Sequence, residues 1–268
     1  MAVPHTFQTL FAVPLSCDGC VKSVSDALYR LGGITRVEAN LQDQLISVQG
    51  SVAPSAIVQT IQETGKDAIL RGSGASNSAA VSILETYAES IAREASADPD
   101  RAVRGLARMV QVSPERTLVD LTVRGVSPGT YRATIREYGN LAEGAASAGP
   151  VWRGTAAAAG AASGPGSGSG SGSGSDFKGC LGEVQVAQDG RGSAFADHGF
   201  QIWEAIGHAL VLTRQEEREG GRLANDEDTV VGVIARSAGV WENDKTVCSC
   251  TGKTLWEERR DEVQKGML

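Results

Sequence analysis

Histidine is scarce: the chain of 268 residues holds three, His5, His198 and His208. That is too few for a metal site that needs more than three histidines. Aromatic residues make up 5% while glycine reaches 33 residues, a balance that favours turns, loops and a linker. Positive charge is also short. Twenty-five basic residues face 32 acidic ones, a net charge of −7. An acidic chain without a basic stripe is a poor partner for nucleic acid or an anionic membrane. No apolar run approaches the roughly 18–20 residues of a membrane span, which excludes an integral membrane segment. The N-terminus lacks the charged-then-apolar layout of a signal peptide, so a cytoplasmic protein is expected. The length leaves room for two or three small domains.

Cysteine is sparse but patterned. Five are present: Cys17, Cys20, Cys180, Cys248 and Cys250. The number is odd and two pairs are closely spaced. Without an export signal, such pairs point to metal or redox chemistry before structural disulfides.

The hydrophobic pattern divides the chain. Residues 1–71 read as one unit. Phe7, Thr9, Phe11 and Val13 alternate as in a strand. Val21, Val24, Leu28 and Leu31 recur at helical spacing, and Gly32-Gly33 stops that helix. Strands are expected over 34–40 and 44–49, a second helix from Pro54 to Gly65, and a last strand over 67–70. The order βαββαβ is ferredoxin-like. Residues 72–79, rich in glycine and serine, read as a flexible link. From residue 80 to 237 the period shifts to two, with turn signals at Ser127-Pro128-Gly129 and Asp189-Gly190. An all-β sandwich or barrel is expected there. Residues 85–96 also fit a helix, and periodicity alone leaves both readings open. Residues 154–175 are an Ala/Gly and Gly/Ser tract, a natural insert or an engineered loop, and are expected to be disordered. In the last segment, 238–268, Thr254-Leu255-Trp256-Glu257 fits a capping box opening a charged helix. So short a segment is expected to be mobile until it docks.

Cys17-Asp18-Gly19-Cys20 lies between the first strand and the first helix. Two thiolates at a helix N-terminus suit a soft, low-coordinate ion, Cu(I) above all. The same spacing serves a thioredoxin-like redox pair or half of a zinc site. Cys248-Ser249-Cys250 can chelate one soft ion and release it, or exchange thiol for disulfide. Cys180 reads as a buried free thiol, His198 and His208 as surface or core residues, and Trp241 and Trp256 as packing or partner contacts.

Residues 6–71 resemble the heavy-metal-associated domain of copper chaperones. Leu15 stands where the family motif has methionine, and Lys66 matches a lysine that offsets thiolate charge near the site. The run Gly232–Asn243, then Val247–Thr254, then Leu255–Arg259 is similar to the C-terminal signature of the copper chaperones for Cu,Zn superoxide dismutase, the fungal members most. Between them, Gly129–Asn140 resembles the copper-ligand segment of the dismutase, a Greek-key barrel. The resemblance places Thr134 and Arg136 at two copper-histidine positions, Val151 at the bridging histidine and Thr213 at the last one. It also places Ala145, and Val231, at the disulfide cysteines. A dismutase site needs six histidines and an aspartate. Tyr138, Gly139, Asn140, Ile206 and Gly207 match the dimer-contact segments.

What the resemblance implies is a metallochaperone, not an enzyme. It would take Cu(I) on Cys17 and Cys20 beside Lys66, and dock on Cu,Zn superoxide dismutase as a heterodimer. Self-association through the same face is a further implication. Cys248 and Cys250 would bind copper and promote the target's intrasubunit disulfide. The family also implies a pool in the mitochondrial intermembrane space. The competing readings are a divergent dismutase, or a general Cu(I) buffer or thiol–disulfide exchanger without a specific partner.

Overall fold

The computed structural model describes residues 5–88, 103–154, 177–216, 222–243 and 251–264, with side chains to 261. The Gly/Ser tract, apart from its first residue, and both C-terminal cysteines lie outside them.

The first unit follows the expected order: β1 (Phe7–Ala12), α1 (Asp18–Leu31), β2 (Ile34–Asn40), β3 (Leu45–Gly50), α2 (Pro54–Glu63) and β4 (Ile69–Ser73). The sheet is antiparallel in the order β2-β3-β1-β4. Both helices turn their apolar faces to its core. Val24 and Leu28 of α1 and Ile57 and Ile61 of α2 pack with Phe11, Ile46 and Val48. Leu31 departs from the expected stripe and is exposed at the last turn, where α1 ends on Gly32 at φ 79°. Pro54 opens α2 at its first helical position.

The second unit is a closed antiparallel barrel. Its strands are β5 (Ala79–Thr86), β6 (Val103–Ser113), β7 (Arg116–Arg124), β8 (Gly129–Ile135), β9 (Cys180–Val186), β10 (Arg191–His198), β11 (Ala209–Thr213) and β12 (Val230–Val233). They run β12-β11-β8-β9-β10-β7-β6-β5, and β12 pairs back onto β5 to close the ring. Short β13 (Ala235–Ser237) adds to β5. Leu84, Met109, Leu121, Tyr131, Ile135, Leu210 and Leu212 fill the interior. The helical alternative over 85–96 fails at its start, because Glu85 and Thr86 pair with β12 as strand; residues 89–96 lie outside the described set. Strand β11 is buried on both faces. Leu210 and Leu212 point into the barrel, while Ala209 and Val211 lie under a covering loop with Ala145, Ala148 and Leu223.

The expected flexible link is short and makes backbone contacts in the structure. Strand β4 continues to Ser73 and β5 begins at Ala79. The amide of Gly74 donates to Gln8 O at 2.8 Å, and Val240 N donates to Gly74 O at 3.0 Å. At Gly72 a Cβ would sit 2.1 Å from Gly239 O, so two backbones pass in direct contact there. Phe7 packs with Val110 and Leu118 across the junction. Ser55, in the first turn of α2, donates its N–H (2.8 Å) and Oγ–H (2.6 Å) to Asp120 of β7.

Described residues of the C-terminal segment, expected to be mobile until it docks, also make contacts with the first unit. Helix α3 (Ile202–Ala205) precedes β11, and α4 (Leu255–Gln264) closes the described chain. Thr254 and Glu257 make the expected reciprocal cap. Arg71 donates twice to Asn243 O, and Arg259 forks onto both oxygens of Asp67 at 3.1 and 3.2 Å. Burial alone would raise the Asp67 pKa, but the Arg259 hydrogen bonds and charge outweigh it and hold the carboxyl below its ordinary value. A depressed folded value means stabilisation that is present above pH 4 and lost as pH falls through that value. The pair is partly solvated, so it contributes under about 1 kcal/mol. Arg259→Gln is expected to lower hydrogen-exchange protection in α4 at neutral pH. Acidification of wild type below pH 4 is expected to do the same, and unchanged protection in both would remove the latch.

Candidate metal centre and docking face

Cys17 is the N-cap residue of α1, in extended conformation. Cys20 lies one turn on, with its N–H donating to Cys17 O at 3.0 Å. The two sulfurs are 3.5 Å apart, Cys17 exposed and Cys20 half-buried. Ser16 Oγ lies 3.2 Å from Cys20 Sγ. Hydrogen bonds from the Ser16 side chain and backbone, then from Cys17, pull the Cys20 thiol down to about 6; the Lys66 charge adds to them and desolvation opposes them. Lys66 is thus close enough to favour the thiolate. Unfilled donors at the helix N-terminus act in the same sense. The site is a pair of thiols at the surface, Cys20 the acidified one, and a donor set for a soft metal ion.

Leu15, in the place of the family methionine, is buried under the loop with Phe11, Val13 and Val24. It is a packing residue here. The residue that holds the loop escaped the sequence reading. Gln44, in the β2–β3 turn at φ 58°, accepts from Leu15 N at 3.0 Å through Oε1, and its Nε2 donates to Leu15 O. Its own carbonyl accepts from Val13 N. A glutamine in a turn carries no motif, so only the fold reveals this staple.

On the barrel, two segments remote in sequence come together. A Cβ added to Gly139 would lie 1.9 Å from Gly207 O, so their backbones touch. Tyr138 N donates to Ala148 O, and Tyr138 O accepts from Ala209 N. The Tyr138 side chain is 56% exposed and Asn140 and Gly207 are exposed, whereas Ile206 is half-buried against the core. Exposed Val233 lies beside Gly139, with Cγ1 3.7 Å from the position of such a Cβ. It joins this face and was missed, because its apolar run reads as wholly internal.

Arg136 is the largest fully buried side chain. Its Nε and Nη2 donate to Gly149 O, at 2.8 and 2.5 Å, and Nη1 reaches Thr134 Oγ1 at 3.4 Å. Val151 bridges to Arg136. Thr213 Oγ1 bonds Thr229 Oγ1 at 2.7 Å. His208 Nδ1 contacts Arg136 O at 2.7 Å, and His198 stacks on Phe200 with burial lowering its pKa. Cys180 is half-buried opposite Thr134, more open than expected. Trp241 is exposed and Trp256 half-buried. Among the described residues, no three or more His, Cys, Asp or Glu side chains converge as a metal cluster.

A surface dithiol on a ferredoxin-like unit, fastened to a β-barrel, defines a metal-carrying protein of the metallochaperone class. Residues 9–67 match the heavy-metal-associated domain family. The chain is 41% identical to the superoxide dismutase 1 copper chaperone of Debaryomyces hansenii, covering 98% of each. It is 38% identical to that of Saccharomyces cerevisiae, covering 97% of each. Against the human copper chaperone for superoxide dismutase the identity is 31%, over 93% of this chain and 88% of the other. The chain belongs to the family of copper chaperones for superoxide dismutase.

Proposed function

We propose that the chain takes Cu(I) on Cys17 and Cys20 and delivers it to Cu,Zn superoxide dismutase. The carrying observation is the pair of sulfurs 3.5 Å apart with one thiol already depressed to about 6. Thiolates without further ligands favour the monovalent ion. Lys66 offsets the negative charge of the loaded site. Because the site is exposed, a second pair of thiolates can reach the ion and replace the first, one sulfur at a time.

The face around Tyr138, Gly139, Asn140, Ile206 and Gly207 docks on one dismutase subunit as a heterodimer. Its exposed aromatic ring and closely packed glycines leave a flat backbone surface. Docking raises the effective concentration of the C-terminal segment at its target. Cys248 and Cys250 then carry the copper and exchange a disulfide into the target's dithiol. Once the copper has left, dioxygen takes two electrons and two protons from Cys248 and Cys250, leaving their disulfide and hydrogen peroxide; the target's dithiol then attacks that disulfide, ends oxidised, and returns the pair to thiols. The domain itself has no dismutase activity, since Thr134, Arg136, Val151 and Thr213 occupy the positions where the resemblance sets histidine ligands.

The Cu(I)-loaded chain is mixed with reduced, zinc-loaded, copper-free dismutase, with oxygen admitted, and activity and disulfide formation are followed. A complex of one chain of each and a rise in dismutase activity are expected. Equal copper release to an unrelated thiol protein, with no complex, would make it a general Cu(I) buffer. Superoxide turnover by the chain alone would restore the dismutase reading.

A further inference from the structure

Three non-glycine residues among those described take left-handed backbone: Gln44, Asn77 and Trp241. The first two have an account within the chain. Gln44 bonds both the N–H and the carbonyl of Leu15, and asparagine is one of the few side chains that tolerates this conformation. Trp241 has neither. It lies at φ 68°, where a bulky side chain crowds its own backbone.

The turn around it explains the angle and not the residue. Glu242 N donates to Gly239 O at 3.3 Å, closing a four-residue turn with Trp241 in third place. A positive φ in that place favours glycine or asparagine. Nothing inside the chain offsets the strain. The Trp241 side chain is 60% exposed and joins none of the apolar clusters. It makes no hydrogen bond or ring contact among the described residues.

The turn itself is firmly seated. Val240 N donates to Gly74 O at 3.0 Å, and Ser73 N donates to Ala238 O at 3.3 Å. Glu242 Oε2 accepts from Gly239 N at 2.6 Å, and Arg71 holds Asn243 O. A large apolar ring is thus held out at the surface on a fixed mount. That is the form of a binding anchor, which presents aromatic area with little conformational freedom left to lose.

Its place in the chain points to the partner. Strand β13 leads to this turn from Val233, the exposed residue beside Gly139 on the docking face. Cys248 follows seven residues after Trp241, a stretch that spans at most about 25 Å. Trp241 therefore lies between the face that meets the dismutase and the thiols that act on it.

From this we infer that Trp241 seats in an apolar recess of the docked dismutase subunit and is a positioning residue for the tail. The inference rests on the docking reading above. With the ring in place the start of the tail is fixed on the target. The thiols then search only the volume that seven residues of chain allow, which raises their effective concentration.

Trp241→Gly and Trp241→Phe are made in the full chain. Glycine adopts φ 68° without strain, so the urea midpoint of Trp241→Gly is expected to be no lower than that of wild type. Its complex with reduced, zinc-loaded, copper-free dismutase is expected to be about 30-fold weaker, the loss of one buried aromatic anchor. Trp241→Phe keeps a ring and should retain most of the affinity. The rate of dismutase activation by the Cu(I)-loaded chain, at subsaturating concentration, should follow the same order. Undiminished stability with lost binding is a combination that a packing role does not give. A lower midpoint for Trp241→Gly, or wild-type affinity in it, overturns the inference and leaves the docking reading standing. If wild type forms no complex, both fall. Weakened self-association of Trp241→Gly with unchanged dismutase affinity would assign the ring to a second copy of the chain and overturn it as well.

Discussion

Replacing Cys248 and Cys250 together with serine is expected to abolish activation of the dismutase, leaving only the background seen without the chain. One Cu(I) per chain should remain on Cys17 and Cys20. The two results together separate capture from delivery. Serine keeps the size of cysteine but offers neither a thiolate at neutral pH nor a soft donor, so both copper transfer and disulfide exchange stop at the tail. Activity and target disulfide should be read in the same reaction. Equal activation by variant and wild type would remove the tail from the mechanism and leave direct transfer from the first unit.

Arg136→Ala is expected to destabilise the barrel by about 3 kcal/mol, read as a lower urea midpoint of the barrel transition. Two losses add. Gly149 O loses both guanidinium donors, and the largest fully buried side chain leaves a cavity beneath the loop that runs from Tyr138 to Val151. Arg136→Met refills much of the volume without the hydrogen bonds, so it should fall between wild type and alanine. Because this loop backs Tyr138, the alanine variant should also weaken the complex with the dismutase. An alanine variant as stable as wild type would show that Arg136 merely fills space that water can take over.

Much of the fold was legible because its signals are local. Val24 and Leu28 at helical spacing, Pro54 at a helix start, and the alternation through β7 and β8 each depend on a few neighbouring residues. The failures have a common source. Strand β11 is buried on both faces because a covering loop far away in sequence buries its outer side chains. Residues 72–79 looked like a tether because glycine and serine are also what a tight backbone crossing needs, as at Gly72 against Gly239. The C-terminal helix looked mobile because its attachments, Arg259 to Asp67 and Arg71 to Asn243, lie about 170 to 190 residues apart in the chain.

The candidate site divides in the same way. By itself the sequence supplied the candidate donor atoms: two cysteines at the head of a helix and two more in the tail. Through the resemblance it also implied which positions on the barrel would carry histidine in a dismutase, since substitution is a property of single positions. Tertiary structure decided everything that needs two distant groups at a known separation. Gln44 holds the metal loop from another turn, Ser16 and Lys66 set the thiol's acidity, and Gly139 meets Gly207 to make one face. Electrostatic energy depends on distance in space, and a sequence records only distance along the chain.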